Sequence, residues 1–139
     1  MKKTIIFSIV IFFILSFFTS CISLKKDRQK EEFITQFFNN ESVYNSLEKY
    51  YTQRNIIIYD EKKELVEKSK TFGIDSKKII AETIKPLDDN YFIVYSFTLN
   101  ENLASIVLAT SDEDKGIIYY AEKKKNKWAI MNIIPKNRY

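Results

Sequence analysis

The only cysteine of the chain, Cys21, lies in the stretch FFTSCISLKK, where an apolar run gives way to a charged one. A lone thiol can serve as nucleophile, metal ligand, redox group or acyl acceptor, and its neighbours decide among these. The 139 residues contain no histidine. Cys–His and Ser–His nucleophilic arrangements are therefore excluded. A zinc site lacks its nitrogen and sulfur ligands, and the side chain best suited to proton transfer near neutral pH is missing. Gly73 and Gly116 are the only glycines and stand far apart, so no GxGxxG turn or P-loop can cradle phosphate. Carboxylates, tyrosines and lysines remain, and neither a metal nor a cofactor is expected.

Three constellations of those residues stand out. In SDEDKG, Ser111 to Gly116, the carboxylates Asp112, Glu113 and Asp114 lack the further ligand spacing and terminal bidentate glutamate of a calcium loop. The segment reads as a solvated hairpin turn. KKKNK, Lys123 to Lys127, reads as a charged turn that discourages edge pairing; the alternative is contact with anionic headgroups, where each lysine contributes about 1 kcal/mol. Tyr91, Tyr95, Tyr119, Tyr120 and Trp128 fall on adjacent expected strands, as in a sheet face packed on helices with hydroxyls at its rim. Asp88 and Asp89 follow Pro86 and read as a turn.

The elements that must carry these groups begin after a distinct leader. Lys2 and Lys3 form a positive start, Thr4 to Thr19 carries no charge, and Lys25 to Glu32 is nearly all charged. A charged start followed by an apolar block is the pattern of a secretory signal. Residues 1–20 are therefore read as signal peptide, 21–30 as a lipidated tether and 31–139 as the folded domain. Ile5 to Leu24 also has about the 20 residues of a spanning helix, so an uncleaved anchor is the alternative. Phe18 to Cys21, FTSC, resembles a bacterial lipobox, with small Thr19 and Ser20 before the cysteine and Phe18 where an aliphatic residue is usual. The resemblance implies that Cys21 is the lipidation site and the mature N-terminus, its thiol converted to a diacylglycerol thioether. Each buried acyl CH₂ then adds about 0.8 kcal/mol of membrane attachment. Ile22 after the cysteine resembles a lipoprotein sorted to the outer membrane.

A mature chain without thiols must be stable through its core alone, and 16 aromatic residues remain after Ser20 to build one. The 20 basic and 18 acidic side chains left nearly cancel, which removes the case for nucleic acid. Phe33, Ile34, Phe37 and Phe38 predict a helix over about 27–38, and Val43, Leu47, Tyr50 and Tyr51 a second over about 41–52. Ile56 to Tyr59 reads as a short buried strand. Asp60 then looks like the N-cap of a third helix carrying Leu65, Val66, Ser69 and Phe72 and ending at Gly73. From Lys78 the period changes to two. Tyr91 to Leu99 reads as a strand with Tyr91, Ile93, Tyr95, Phe97 and Leu99 on one face. Short polar turns then link strands over 103–110, 117–122 and 128–134 into an antiparallel meander.

The pattern predicts an α+β fold with N-terminal helices packed on a curved antiparallel sheet. Its element order and the closing NKWAIMNII resemble the NTF2-like, or cystatin-like, cone superfamily over about Glu32 to Ile134. The resemblance implies a cone-shaped pocket with Tyr95, Tyr119 and Trp128 at its mouth. The expected function is that of an exported, membrane-anchored envelope lipoprotein at the outer membrane or cell surface. Its domain is expected to bind a protein or a small apolar ligand without catalysis. The alternatives are a small NTF2-like enzyme using a tyrosine or carboxylate on a hydrophobic substrate, and a structural envelope protein with an uncleaved anchor.

Overall fold

A computed structural model of the chain describes residues 24–73 and 76–137. The expected signal peptide and Cys21 lie outside the described residues. The chain divides into two compact units, Met1–Glu32 and Phe33–Tyr139. Helix α1 comprises residues 24–38, so residues 24–30 of the expected tether are helical.

Within the second unit, helical spacing puts Phe33, Ile34, Phe37 and Phe38 on one buried face of α1. Asn39 and Asn40 break the helix, and Asn40 restarts it. Its side-chain oxygen accepts the Ser42 N–H at 2.9 Å, capping α2, Glu41–Glu48. Val43, Tyr44 and Leu47 of α2 are buried, while Tyr50 and Tyr51 follow the helix and set their ring edges against Phe92.

The sheet has seven strands: β1 Asn55–Tyr59, β2 Lys70–Phe72, β3 Lys78–Glu82, β4 Phe92–Leu99, β5 Leu103–Thr110, β6 Lys115–Lys124 and β7 Lys127–Asn137. Their order is β2-β3-β1-β4-β5-β6-β7. The fold is thus α+β, with helices packed on an open sheet whose edges are β2 and β7. The meander β4 to β7 is antiparallel throughout. The sheet as a whole is mixed, because β1 runs parallel to both β3 and β4. The wholly antiparallel expectation is corrected at that strand.

The third helix is absent. After β1 the Asp60 carboxylate is fully buried and accepts three backbone N–H groups: Glu64 at 2.9 Å, Leu65 at 2.7 Å and Val66 at 2.8 Å. An N-cap takes donors two or three residues on and leaves the rest to the helix. Here the side chain gathers donors four to six residues on, which competes with helical pairing. Leu65 and Val66 are buried from a loop, and Phe72 from the strand β2 that follows. Gly73 ends β2 with φ +111°, and an added Cβ would stand 2.1 Å from the Lys77 carbonyl oxygen.

The core lies between the helices and one sheet face. Phe33, Phe37, Phe38 and Leu47 meet Ile56, Ile58, Phe92, Ile106, Leu108, Ile117 and Tyr119 there. Two irregularities reset the alternation. The register between β4 and β5 shifts between Val94 and Ser96, and that between β6 and β7 shifts between Tyr120 and Ala121. Phe92 and Val94 are buried before the first shift, and Phe97 and Leu99 pack on the core after it. The single face expected for Tyr91, Ile93, Tyr95, Phe97 and Leu99 is therefore split by a bulge.

Candidate ligand-binding groove

Tyr119 lies in the core, not at a rim. Its ring meets Phe37 edge-on at 5.1 Å, and its hydroxyl is 2.7 Å from Ser46 Oγ. Ser46 Oγ donates to the Val43 carbonyl at 2.7 Å, which leaves the Tyr119 hydroxyl as donor to Ser46. Burial pushes the Tyr119 hydroxyl far above the ordinary tyrosine range, and the bond to Ser46 offsets only part of that. A hydroxyl so held stays protonated near neutral pH. Trp128 is also buried, with its ring edge-on to Phe33 at 4.8 Å and its backbone N–H donating to Gln36 Oε1 at 2.8 Å. Tyr95 sits at the β4 bulge, 64% exposed. Tyr119 and Trp128 thus share the core side of the sheet, and Tyr95 stands apart from them.

The SDEDKG turn is held by its own side chains. The buried Thr110 hydroxyl donates to Asp112 Oδ1 at 2.5 Å, and the Asp114 N–H reaches the same oxygen at 3.1 Å. The Thr110 hydroxyl, then the Asp114 N–H, hold the Asp112 carboxyl below its usual range. Ser111 Oγ donates to the Asp89 carbonyl and ties this turn to the residues before β4. Among the described residues no cluster of three or more acidic, histidine or cysteine side chains is placed to hold a metal ion.

The opposite face of the meander carries a groove. Ladder register aligns Thr98 with Ser105, Ser105 with Tyr120 and Tyr120 with Asn132, one residue from each of four successive strands. Strands about 4.8 Å apart make this a row of neutral hydrogen-bonding groups roughly 14 Å long. It forms the floor of a groove of about 560 Å³, with Asn100, Leu103 and Met131 around it. Leu103, Tyr120 and Met131 are 54%, 44% and 59% exposed, a large apolar share for side chains on a sheet. Tyr120 is the only titratable side chain in the lining. Apolar walls with a few placed hydroxyl and amide groups, in a volume of this size, are the usual make-up of a small-molecule site.

The alternation on these strands signalled two faces. What it did not reveal is which residues of four strands stand in one row, because both bulges shift the register. The fold and groove define a class: an α+β domain with helices on one face of an open sheet and an uncharged groove on the other. Comparison of the chain with protein-family models, with curated proteins and with solved structures gives no match.

Proposed function

We propose that the chain is a membrane-anchored envelope lipoprotein of the bacterial type whose domain binds a small, uncharged, partly apolar ligand without transforming it. Attachment is assigned to lipid on Cys21, on the strength of the FTSC sequence at the change from apolar to charged residues. Among the described residues no helix is long and apolar enough to cross a membrane. The fold is read as an open relative of the NTF2-like cone. Two helices ahead of a sheet that ends in a meander favour that reading, and the loop held by Asp60 takes the place of a third helix.

The binding assignment is carried by one observation: the groove is lined by neutral side chains, and the buried titratable groups lie elsewhere. Asp60 and Tyr119 are both engaged in hydrogen bonds within the fold. General acid–base work needs a titratable group within reach of the reacting atom, and Tyr120 alone meets that condition in the groove.

Two measurements test the two halves. Metabolic labelling with a palmitate analogue should mark the wild-type chain and not Cys21→Ala; equal label in both rules out lipidation there. A neutral solvatochromic dye such as Nile red should bind the purified protein. Met131→Asp, which puts a charge in the groove, should weaken it at least tenfold, and an unchanged dye affinity removes the groove assignment.

A further inference from the structure

We propose that the tip of the β6–β7 hairpin is a docking surface for an anionic lipid bilayer, and that it sets the orientation of the domain on the membrane. This rests on the lipoprotein reading, since it concerns a second contact made by an anchored chain. The tip is narrow: Lys125 and Asn126 adopt φ +47° and +62°, the left-handed pair of a two-residue hairpin turn. Lys124, Lys125 and Lys127 are exposed around it.

Charge along the meander is segregated. The strands alternate in direction, so the β4–β5 and β6–β7 turns lie at one end. The β5–β6 turn and the residues before β4 lie at the other, about 30 Å away for a strand the length of β6. The first end carries Lys123, Lys124, Lys125 and Lys127 against Glu101 and Glu122. The second carries Asp88, Asp89, Asp112, Glu113 and Asp114 against Lys115 and Lys136. An anionic surface attracts the first end more strongly than the acidic second end of the meander.

Two further observations single out the lysine end. Lys124 and Lys127 face each other on the last rung of the hairpin, a like-charge pair that weakens the ladder. Glu122, 2.8 Å from Lys124 Nζ, relieves only one of them. A surface of phosphate headgroups would offset the remainder. Trp128, next to the tip, packs on Phe33 and bonds to Gln36, so the hairpin tip adjoins the point where the chain from Cys21 enters the second unit. Cys21 and Phe33 are 12 residues apart, and 24–33 lie in helix α1, so the chain between them spans about 25 Å at most. An anchor on Cys21 would thus tether the second unit within that chain length of the bilayer.

The test uses the full chain as produced, with a fluorophore on Asn126→Cys, reconstituted into vesicles containing headgroup-spin-labelled lipid. The mass of the N-terminal peptide is read first, so a failure of the lipid anchor appears there and not in the quenching. Each lysine at an anionic surface is worth about fivefold in the docked population. Quenching should be at least twofold stronger in phosphatidylcholine vesicles with 30% phosphatidylglycerol than without it. It should fall to the neutral-vesicle level in 1 M NaCl, where the screening length is about 3 Å, and in the variant Lys124→Glu, Lys125→Glu, Lys127→Glu. The same fluorophore on Glu113→Cys should stay unquenched. Equal quenching in neutral and anionic vesicles, no effect of the triple variant, or equal quenching at both positions overturns the proposal.

Discussion

Replacing Asp60 with serine separates two accounts of the segment after β1 by magnitude. Were Asp60 a helix N-cap, serine would serve about as well, and even alanine would cost only about 1 kcal/mol. In the loop described here, Asp60 Oδ2 accepts from Leu65 and Val66 while Oδ1 accepts from Glu64. Serine offers one oxygen on a shorter arm and can reach one of those donors at best. Leu65 and Val66 are buried, so their N–H groups would lose their acceptor with little access to water. An orphaned buried donor costs about 1–3 kcal/mol. Asp60→Ser should therefore lower stability by about 2–4 kcal/mol and Asp60→Ala by about 4 kcal/mol, a large share of a typical domain's total. Urea unfolding followed by the fluorescence of Trp128, the only tryptophan, gives the number. With a slope of about 1.5 kcal/mol per molar urea, a loss of 3 kcal/mol moves the midpoint by roughly 2 M. Asp60→Asn keeps the shape and one oxygen and should fall between wild type and serine. A serine variant within about 0.5 kcal/mol of wild type would refute the three-donor loop and restore the capped helix.

Tyr119→Phe should cost about 1 kcal/mol near neutral pH, because the hydroxyl bond to Ser46 is lost while Ser46 keeps its bond to the Val43 carbonyl. Its alkaline behaviour carries a definite sign. Burial raises the folded-state pKa of Tyr119 above the ordinary 10.0. The stability this group contributes is complete below that value. It is lost above it, as the unfolded chain gives up a proton that the folded chain retains, by up to about 1.4 kcal/mol per pH unit. Unfolding measured from pH 9 to 11.5 should thus fall less steeply for Tyr119→Phe than for wild type; parallel curves would refute the burial. Gly73→Ala should lower stability by at least about 2 kcal/mol, since the Lys77 carbonyl blocks its Cβ and its φ is left-handed; chemical denaturation reads it. Asn40→Ala should cost about 1 kcal/mol in the same measurement by removing the cap of α2.

Much of this fold is legible where one periodicity acts alone. Phe33, Ile34, Phe37 and Phe38 name a helix face without help from the rest of the chain, and the turns of the meander announce themselves by polar composition. Legibility ends where a side chain or a distant strand decides. Asp60 carries the sequence mark of a cap, yet its burial lets the carboxylate collect donors that a helix would have used internally. The Ile56–Ile58 run declares a buried strand but not its neighbours, and parallel pairing with β3 and β4 is a property of the whole chain. The side on which Tyr95 falls turns on a local feature: one bulge residue reverses the alternation on β4, and no residue type marks it. Tyr119 and Trp128 lie on the side of the sheet that packs on α1, against Phe37 and Phe33, a choice of side that alternation along their own strands does not fix.

The groove and the lysine tip belong to the same end of the meander. Tyr120 precedes Lys123 by three residues and Asn132 follows Lys127 by five, which at about 3.3 Å per residue places the neutral row on the order of 10–17 Å from the tip. With the tip on headgroups, the groove would open just above the polar surface of the bilayer, where amphiphilic molecules are most concentrated. An uncharged lining suits that place. A ligand leaving lipid brings apolar surface that Leu103 and Met131 can cover, and hydroxyl or amide groups that Thr98, Ser105, Tyr120 and Asn132 can satisfy. An ionised side chain in the lining would have to be desolvated each time the groove filled. On this proposal the lysines of the tip and the uncharged groove lining divide the work: charge would attract the surface, and a neutral lining would receive what the surface holds.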